Sequence, residues 1–400
     1  MDNFIITEPE RKTPVLKQYD TVVAGGGVAG ISAALAAARN GSKVLLIERE
    51  FLLGGLATLG LVTIYLPLCD GLGNQVSFGI AEELLRLSVK HGFEGMPCPE
   101  WLGSGTREER RKIRFQIQYN PYAFAIEAEQ LLKRDGVDIL YGTAICDVAV
   151  KNGKITHVIT ENRSGRSAIA VNNVIDSTGD AAICRLSGEN TVVFKQGNVP
   201  ASWCYVTENG TNNLKMLGFS DIPDSQKTEA QLKDSKKSLR FTGLDADELT
   251  ELTLYSHATL LNDFLKGGDL SPKRTISTIA AIPPIRRTRR IDGVYTQNDD
   301  EMHRRYKDSV GLFSDWRKAG PVYELPFASL YGSKISTLIT AGRCISVTDA
   351  MWDITRVIPV CAVSGQAAGT AAAITDDFSN TDIEKLQSIL TQNSVMLHEN

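Results

Sequence analysis

Short apolar runs broken by turn residues dominate the start of the chain. Residues 20–24 (DTVVA) form a β-branched run, and Gly25-Gly26-Gly27-Val28-Ala29-Gly30 follows without a gap. Residues 31–39 read as an Ala-rich helix stopped by Asn40-Gly41. Residues 43–47 (KVLLI) have the continuous apolar character of a strand buried in a parallel sheet, and they end at Glu48. The pattern predicts a βαβ unit of about thirty residues.

Beyond it the pattern loosens into glycine-rich loops at Gly54-Gly55 and Asp70-Gly71, a helix over about 80–91, and a loop with Pro97 and Pro99. The charged stretch 107–114 reads as a solvated helix face. A helical pattern over 121–135 leads into an apolar run at 137–141, then strands at 144–151 and 155–160 around the turn Asn152-Gly153. A further strand, 168–175, ends in Asp176-Ser177-Thr178-Gly179-Asp180. From about 191 to 326 the pattern changes to short strands and polar loops around one strong helix, 245–266, acidic in its first turn and followed by Gly267-Gly268. Apolar strand and small-residue helix then return with a strand at 338–341, Gly342-Arg343, and an Ala- and Gly-rich helix over about 359–374.

Composition narrows the class. Four hundred residues favour two domains, and 42% hydrophobic against 22% charged residues describes a chain that folds around a sizeable core. The net charge is −4 and the longest basic cluster is Arg286 to Arg290, so nucleic acid is not an expected partner. Seven cysteines (Cys69, Cys98, Cys146, Cys184, Cys204, Cys344, Cys361) include no C-x-x-C pair, so no metal site and no redox dithiol are expected. The polar residues 1–18 do not read as a secretory signal, and a reducing cytoplasm is the expected location. Residues 22–38 are apolar, but four glycines in the first half make them a strand, turn and helix, and no membrane partner is expected.

G-x-G-x-x-G gains weight here because it follows a strand, opens a helix, and precedes Glu48, which lies 48 − 30 = 18 residues past the last glycine. Gly25 permits the tight turn, Gly27 lets backbone N–H groups meet a pyrophosphate, and Gly30 lets helix and strand pack closely. Val28 and Ala29 supply further first-turn N–H groups, and Glu48 is placed to accept from ribose hydroxyls. This fingerprint fits NAD and FAD alike, and Arg49 is open to a reading as a 2′-phosphate contact. Three features favour FAD: Gly54-Gly55-Leu56-Ala57-Thr58 just beyond the acid, the hairpin 144–160 as a small inserted sheet followed by Ser177-Thr178-Gly179-Asp180, and Ala341-Gly342-Arg343 before the last apolar helix.

On these residues the sequence resembles the FAD-dependent oxidoreductases of the glutathione-reductase-like superfamily, and more narrowly those related to fumarate reductase and succinate dehydrogenase flavoproteins. The matching segments are 19–66, 137–188, 282–302 and 323–373, the most specific being AGRCISVTDAMWDITRVIPVCAVSGQAAGTAAA. The resemblance implies that Ile145 meets the adenine through its backbone, that the S-T-G-D turn lies against adenosine and pyrophosphate, and that Gly342-Arg343 contact the ribityl side. It also implies that the last helix aims its N-terminus, around Val357 and Ile358, at flavin N1 and O2, where a helix dipole would stabilise the charge of the reduced ring. The chain departs from the family in having no histidine within 346–356, no second G-x-G-x-x-G and no C-x-x-C pair.

The expected fold is α/β: a three-layer Rossmann-like FAD-binding domain assembled from 19–190 and 327–378, with an α+β substrate or cap domain over 191–326, a tail at 1–18, and a helix and tail at 379–400. The expected activity is hydride transfer between flavin N5 and a small organic substrate, an anionic one being favoured by the arginines; direction and electron acceptor are open, and a homo-oligomer is compatible. The competing reading is an electron-transfer or structural flavoprotein with no substrate of its own. Arg356, Asp353 and His303 are the candidate chemical residues, His303 also being open to a reading as a solvated helix residue. Arg286-Arg287 and Arg289-Arg290 are open to a role as a carboxylate or phosphate clamp, with strand alternation turning half of them to solvent. Trp203-Cys204-Tyr205 reads as a core strand, and Cys344 as a packing residue.

Overall fold

The computed structural model of the chain describes residues 6–91, 93–94, 99–113, 116–218, 222–235, 238–268 and 270–399; Pro97, Cys98 and Arg114 lie outside them. The first part contains β1 (Val15–Ala24), α1 (Val28–Arg39), β2 (Val44–Ile47), α2 (Ile80–Lys90), α3 (Pro121–Arg134), β3 (Asp138–Leu140), β4 (Ala144–Lys151), β5 (Lys154–Asn162) and β6 (Gly165–Asp176). The middle contains β7 (Ser202–Glu208), β8 (Thr211–Leu217), α4 (Ala246–Lys266) and β9 (Arg274–Ile279). The chain then runs through β10 (Ser309–Ser314), β11 (Val322–Pro326), β12 (Leu338–Thr340), α5 (Asp349–Thr355) and α6 (Ile358–Ala372).

Strands β3, β2, β1, β6 and β12 lie side by side and parallel, with β1 central. Period-two alternation sorts their side chains. Val23, Val44, Leu46 and Ile175 enter the core shared with α1, α2, α3 and α6, while Val22, Leu45, Ile47 and Val174 enter a second core. That second core is closed by Val148, Ile155 and Val158 of the β4–β5 hairpin together with Ile183 and Cys184. The layers are therefore helices, parallel sheet and hairpin. The hairpin differs from the inserted sheet expected: β5 pairs antiparallel with the first half of β6, so it continues the main sheet, while the second half of β6 pairs with β12. Strand β1 also extends upstream of its apolar run, because Val15 to Gln18 pair with 168–170 while exposed and so carry no alternation to read.

Helix α6 packs on α1 almost backbone to backbone. A Cβ at Gly365 would lie 2.3 Å from the Ala29 carbonyl oxygen, and one at Gly369 would lie 2.1 Å from that of Ala33. Gly365 meets Ala29 and Gly369 meets Ala33, so the two helices run in the same direction, with the start of α1 level with the middle of α6. The middle sheet runs β8–β7–β9, antiparallel. Cys204 and Val206 meet Leu260 and Phe264 of α4, while Trp203 and Tyr205 turn the other way and pack with Leu61 and Ala201. The sheet thus stands between α4 and the loop that follows Gly54-Gly55. Strands β10 and β11 return to the first core, where Val310, Phe313, Tyr323 and Leu325 pack with α6 residues.

Candidate functional site

The glycine turn between β1 and α1 is held from three sides. Gly25 takes φ +99°, and a Cβ there would lie 2.8 Å from the Ser177 carbonyl oxygen. The Ser177 hydroxyl hydrogen-bonds the carbonyls of Ala24 and Gly25, both at 2.8 Å. A Cβ at Gly30 would lie 1.9 Å from the Gly25 carbonyl oxygen, so only glycine fits. Helix α1 begins after Gly27 with no side-chain cap, which leaves the N–H groups of Val28, Ala29 and Gly30 without helical acceptors. Among the described residues, and apart from its own chain neighbours, no atom lies within 4 Å of where a Gly27 Cβ would be. Free donors facing open space at a helix N-terminus fit a diphosphate.

Glu48 is engaged within the protein. One carboxylate oxygen accepts from Gly26 N at 2.6 Å and the other from Glu50 N at 2.9 Å. Burial raises its pKa, and the two backbone bonds work against that shift. The adjacent Arg49 side chain is two-thirds exposed and paired with Glu50. Gly54 bridges Gly27 and donates to the Gly26 carbonyl at 2.8 Å, which lays Gly55, Leu56, Ala57 and Thr58 beside the glycine turn. Thr58 is buried and donates to the Leu53 carbonyl at 2.5 Å. Ile145 is half-buried on β4, two residues after Thr143, whose N–H donates to the Glu48 carbonyl.

The far side comes from the C-terminal segment. Gly342 takes φ +75°, a Cβ on it would lie 2.8 Å from the Ala29 Cβ, and its N–H donates to the Ser364 hydroxyl at 2.9 Å. Arg343 donates to the carbonyls of Gly179 and Ile285 and pairs with Asp180 at 3.1 Å. Asp180 also accepts from Thr288 at 2.8 Å, and Thr178 caps the Asp176 carboxylate. Helix α6 starts at Ile358 after the buried Val357, again without a side-chain cap, and Arg356 stands just before it.

Arg356 is fixed by Asp353, whose Oδ1 accepts from Arg356 Nη2 at 2.7 Å and Nε at 3.1 Å. The other Asp353 oxygen faces Arg317 at 3.4 Å, and Arg317 is paired with the fully buried Asp315. The structure brings Arg356 and Asp353 together; it places His303 elsewhere, exposed and bonded to Glu399 at 2.8 Å. His303 has φ +61° and lies on no helix. The arginine cluster also departs from expectation. Residues 281–288 form no strand, so alternation does not apply, and Arg286, Arg287 and Arg290 are all buried. Asn198 pins this segment by accepting from Arg286 N and Arg287 N at 3.2 and 3.0 Å. Sequence reasoning missed Asp315, Arg317 and Ser364, whose residue types are common on surfaces and in helices. Trp203 and Tyr205 are buried on β7, and burial pushes the Cys344 thiol well up, as suits a packing residue. Among the described residues no cluster of His, Cys, Asp or Glu is arranged to hold a metal, and no helix is long and apolar enough to cross a membrane.

The profile of the family described as FAD dependent oxidoreductase matches residues 20–252 and 208–390. Thioredoxin reductase of Ureaplasma parvum serovar 3 is 34% identical over 76 residues, which are 19% of this chain and 25% of that protein. The chain thus spans about a quarter of the length of that relative. Among solved structures, a geranylgeranyl bacteriochlorophyll reductase-like protein of Thermoplasma acidophilum aligns with 94% of this chain and 84% of its own at 15% identity and a TM-score of 0.47. The p-nitrophenol 4-monooxygenase of Pseudomonas putida aligns with 94% and 81% at 11% identity and a TM-score of 0.48. A flavocytochrome c3 fumarate reductase aligns with 90% and 78% at 12% identity and a TM-score of 0.42. The profile runs across nearly the whole chain and the cradle fits an extended dinucleotide, so the chain belongs to the FAD-dependent oxidoreductase family, with FAD as its cofactor.

Proposed function

We propose that the protein transfers a hydride between a small organic substrate and FAD. Bound FAD supplies a two-electron acceptor or donor at N5. The N–H groups of Val28, Ala29 and Gly30 would hold its diphosphate, with Ser177 to Asp180, Gly342 and Arg343 on the adjoining side and Gly54 to Thr58 covering the loop edge. The free first turn of α6 and Arg356 would stabilise negative charge that reduction adds near that helix. Asp353 is a positioning residue, since both its oxygens are engaged by arginines. His303 has no part in this reading.

One observation supports the proposal above the others: a carboxylate-anchored arginine, its side chain 10% exposed, stands at the open N-terminus of α6. The test is anaerobic mixing of the FAD-loaded protein with a panel of small alcohols, amines and acids, reading the loss of the flavin band near roughly 450 nm. A bleaching substrate is expected. Arg356→Ala should keep FAD and slow that reduction by about 10- to 100-fold, the weight of one hydrogen bond to a charged group. Unchanged kinetics would remove Arg356 from the chemistry. Bleaching by a reduced electron-transfer protein and by no small molecule would replace the proposal with the electron-carrier reading.

A further inference from the structure

Helix α4 carries two apolar rows, and the fold buries one. Leu252, Ser256, Leu260 and Phe264 are buried, with Leu260 and Phe264 packed on the middle sheet. Leu254, Ala258, Leu261 and Leu265 form the other row, turned from the first by about 150° around the helix. All four are exposed, the leucines by 64%, 45% and 43% in chain order, and none enters an apolar core among the described residues. Single apolar residues on a surface need no explanation, but a continuous row of them marks an interaction face.

The spacing of the row selects what covers it. Its steps of four, three and four residues read the same in both directions. A second α4 laid antiparallel therefore sets Leu254 against Leu265 and Ala258 against Leu261, with every apolar position matched. Charge selects the same direction. Asp247 and Glu251 continue the row toward the N-terminus of α4, and Lys266 flanks its C-terminal end. In the antiparallel pair Glu251 of each copy comes within reach of Lys266 of the other, on the same side of the seam, whereas a parallel pair would set acid against acid. A lipid surface suits the row poorly, because α4 carries Asp247, Glu248, Glu251 and Asp263 against one lysine, and helices that lie on membranes are rich in Lys and Arg. We infer that the protein forms a twofold dimer through the outer row of α4, its partner being a second copy of the same chain. The middle sheet separates α4 from the loop after Gly54-Gly55, so this seam lies away from the cofactor cradle. Four apolar positions are far fewer than the roughly 20–30 residues that each partner gives a standard interface, so the dimer is weak, with a Kd of about 1–100 μM.

Sedimentation velocity of the FAD-loaded protein in low-salt buffer, from about 1 to 300 μM, tests this. A reversible passage from monomer to dimer is expected. Leu261→Glu sets a carboxylate in the middle of the seam and should raise the Kd at least about 10-fold, while FAD content and the melting temperature of the dilute protein stay as in the parent, since the site is exposed there. Glu251→Lys and Lys266→Glu should each weaken the dimer by about 3- to 10-fold. An equal mixture of those two variants should recover the parent affinity, because each contact between positions 251 and 266 then joins opposite charges again. The two positions lie about 22 Å apart along one helix, so recovery reports contact between antiparallel copies and not repair within one. A monomer at every concentration, a dimer indifferent to Leu261→Glu, or a mixture no tighter than the single variants would overturn the inference. Uptake of the monomer by phosphatidylcholine–phosphatidylglycerol vesicles, lost in Leu261→Glu, would also overturn it and assign the row to a lipid surface.

Discussion

Helices α6 and α4 show how differently the two parts of the molecule are specified. Helix α6 is 15 residues long and hidden almost all round, and its glycines let it touch the α1 backbone. Helix α4 is 21 residues long but buries only Leu252, Ser256, Leu260 and Phe264, a single stripe of residues spaced four apart. Leu254, Tyr255, Leu261 and Leu265 remain exposed along it. The cofactor cradle is fixed by backbone proximity, which few residue types permit. The middle sheet and its helix are fixed by a stripe of side chains, for which many sequences serve.

The sharpest way to break this comparison is to add one carbon to α6. Gly369→Ala places a Cβ 2.1 Å from the Ala33 carbonyl, so α6 must move off α1. The expected loss is about 1–3 kcal/mol or more by urea denaturation, with reduced FAD content. The matching change in α4, Leu254→Ser at an exposed site, should stay within about 0.5 kcal/mol. Full stability and full FAD content in Gly369→Ala would show that backbone contact does not seat α6.

A smaller effect is expected from a matched pair of serines. Ser364 on α6 accepts the buried N–H of Gly342, so Ser364→Ala strands a donor beside the cradle and should cost about 1–3 kcal/mol. Ser256 on α4 is buried and its hydroxyl has no partner among the described residues, so Ser256→Ala should be neutral or slightly stabilising. Melting curves of the two variants check this directly. Equal losses would mean that the hydrogen bond to Gly342 is not what distinguishes the two helices.

The same contrast explains what the sequence revealed. The βαβ unit was legible because Gly25 and Gly30 occupy places where a Cβ meets a backbone oxygen at 2.8 and 1.9 Å, and such places force a spaced glycine pattern. The segments around Ser177 and Gly342 were legible for a related reason, since both lie against that turn. The ion pair of Asp315 with Arg317 was not legible. Asp315 and Arg317 look like ordinary surface residues until β10 and β11 fold into the first core. The burial of Arg286 and Arg287 was hidden because Pro283 and Pro284 precede an unpaired segment, pinned by Asn198 from 88 positions away in the chain for Arg286. His303 followed three acidic residues that resemble a helix start, yet its backbone is left-handed and no helix forms. These features depend on long-range contacts that no local period encodes.

The smallest effect tests whether backbone control of the cradle extends to its electrostatics. Glu48 ties the glycine turn through Gly26 N, and burial raises its pKa above the ordinary 4.5. Where the folded protein holds that proton more tightly than the unfolded chain, the native state carries more bound protons, so stability falls as pH rises from the unfolded value through the folded one. Ionised Glu48 therefore weighs against folding at neutral pH, and that cost fades in acid. Glu48→Gln keeps one acceptor oxygen and removes the charge. Denaturation of both proteins between about pH 4 and 7 should show the difference in stability moving in favour of the Gln variant as pH rises. Parallel curves would mean that the Gly26 and Glu50 bonds fully offset burial, leaving the ionised carboxylate as a neutral tether of the turn.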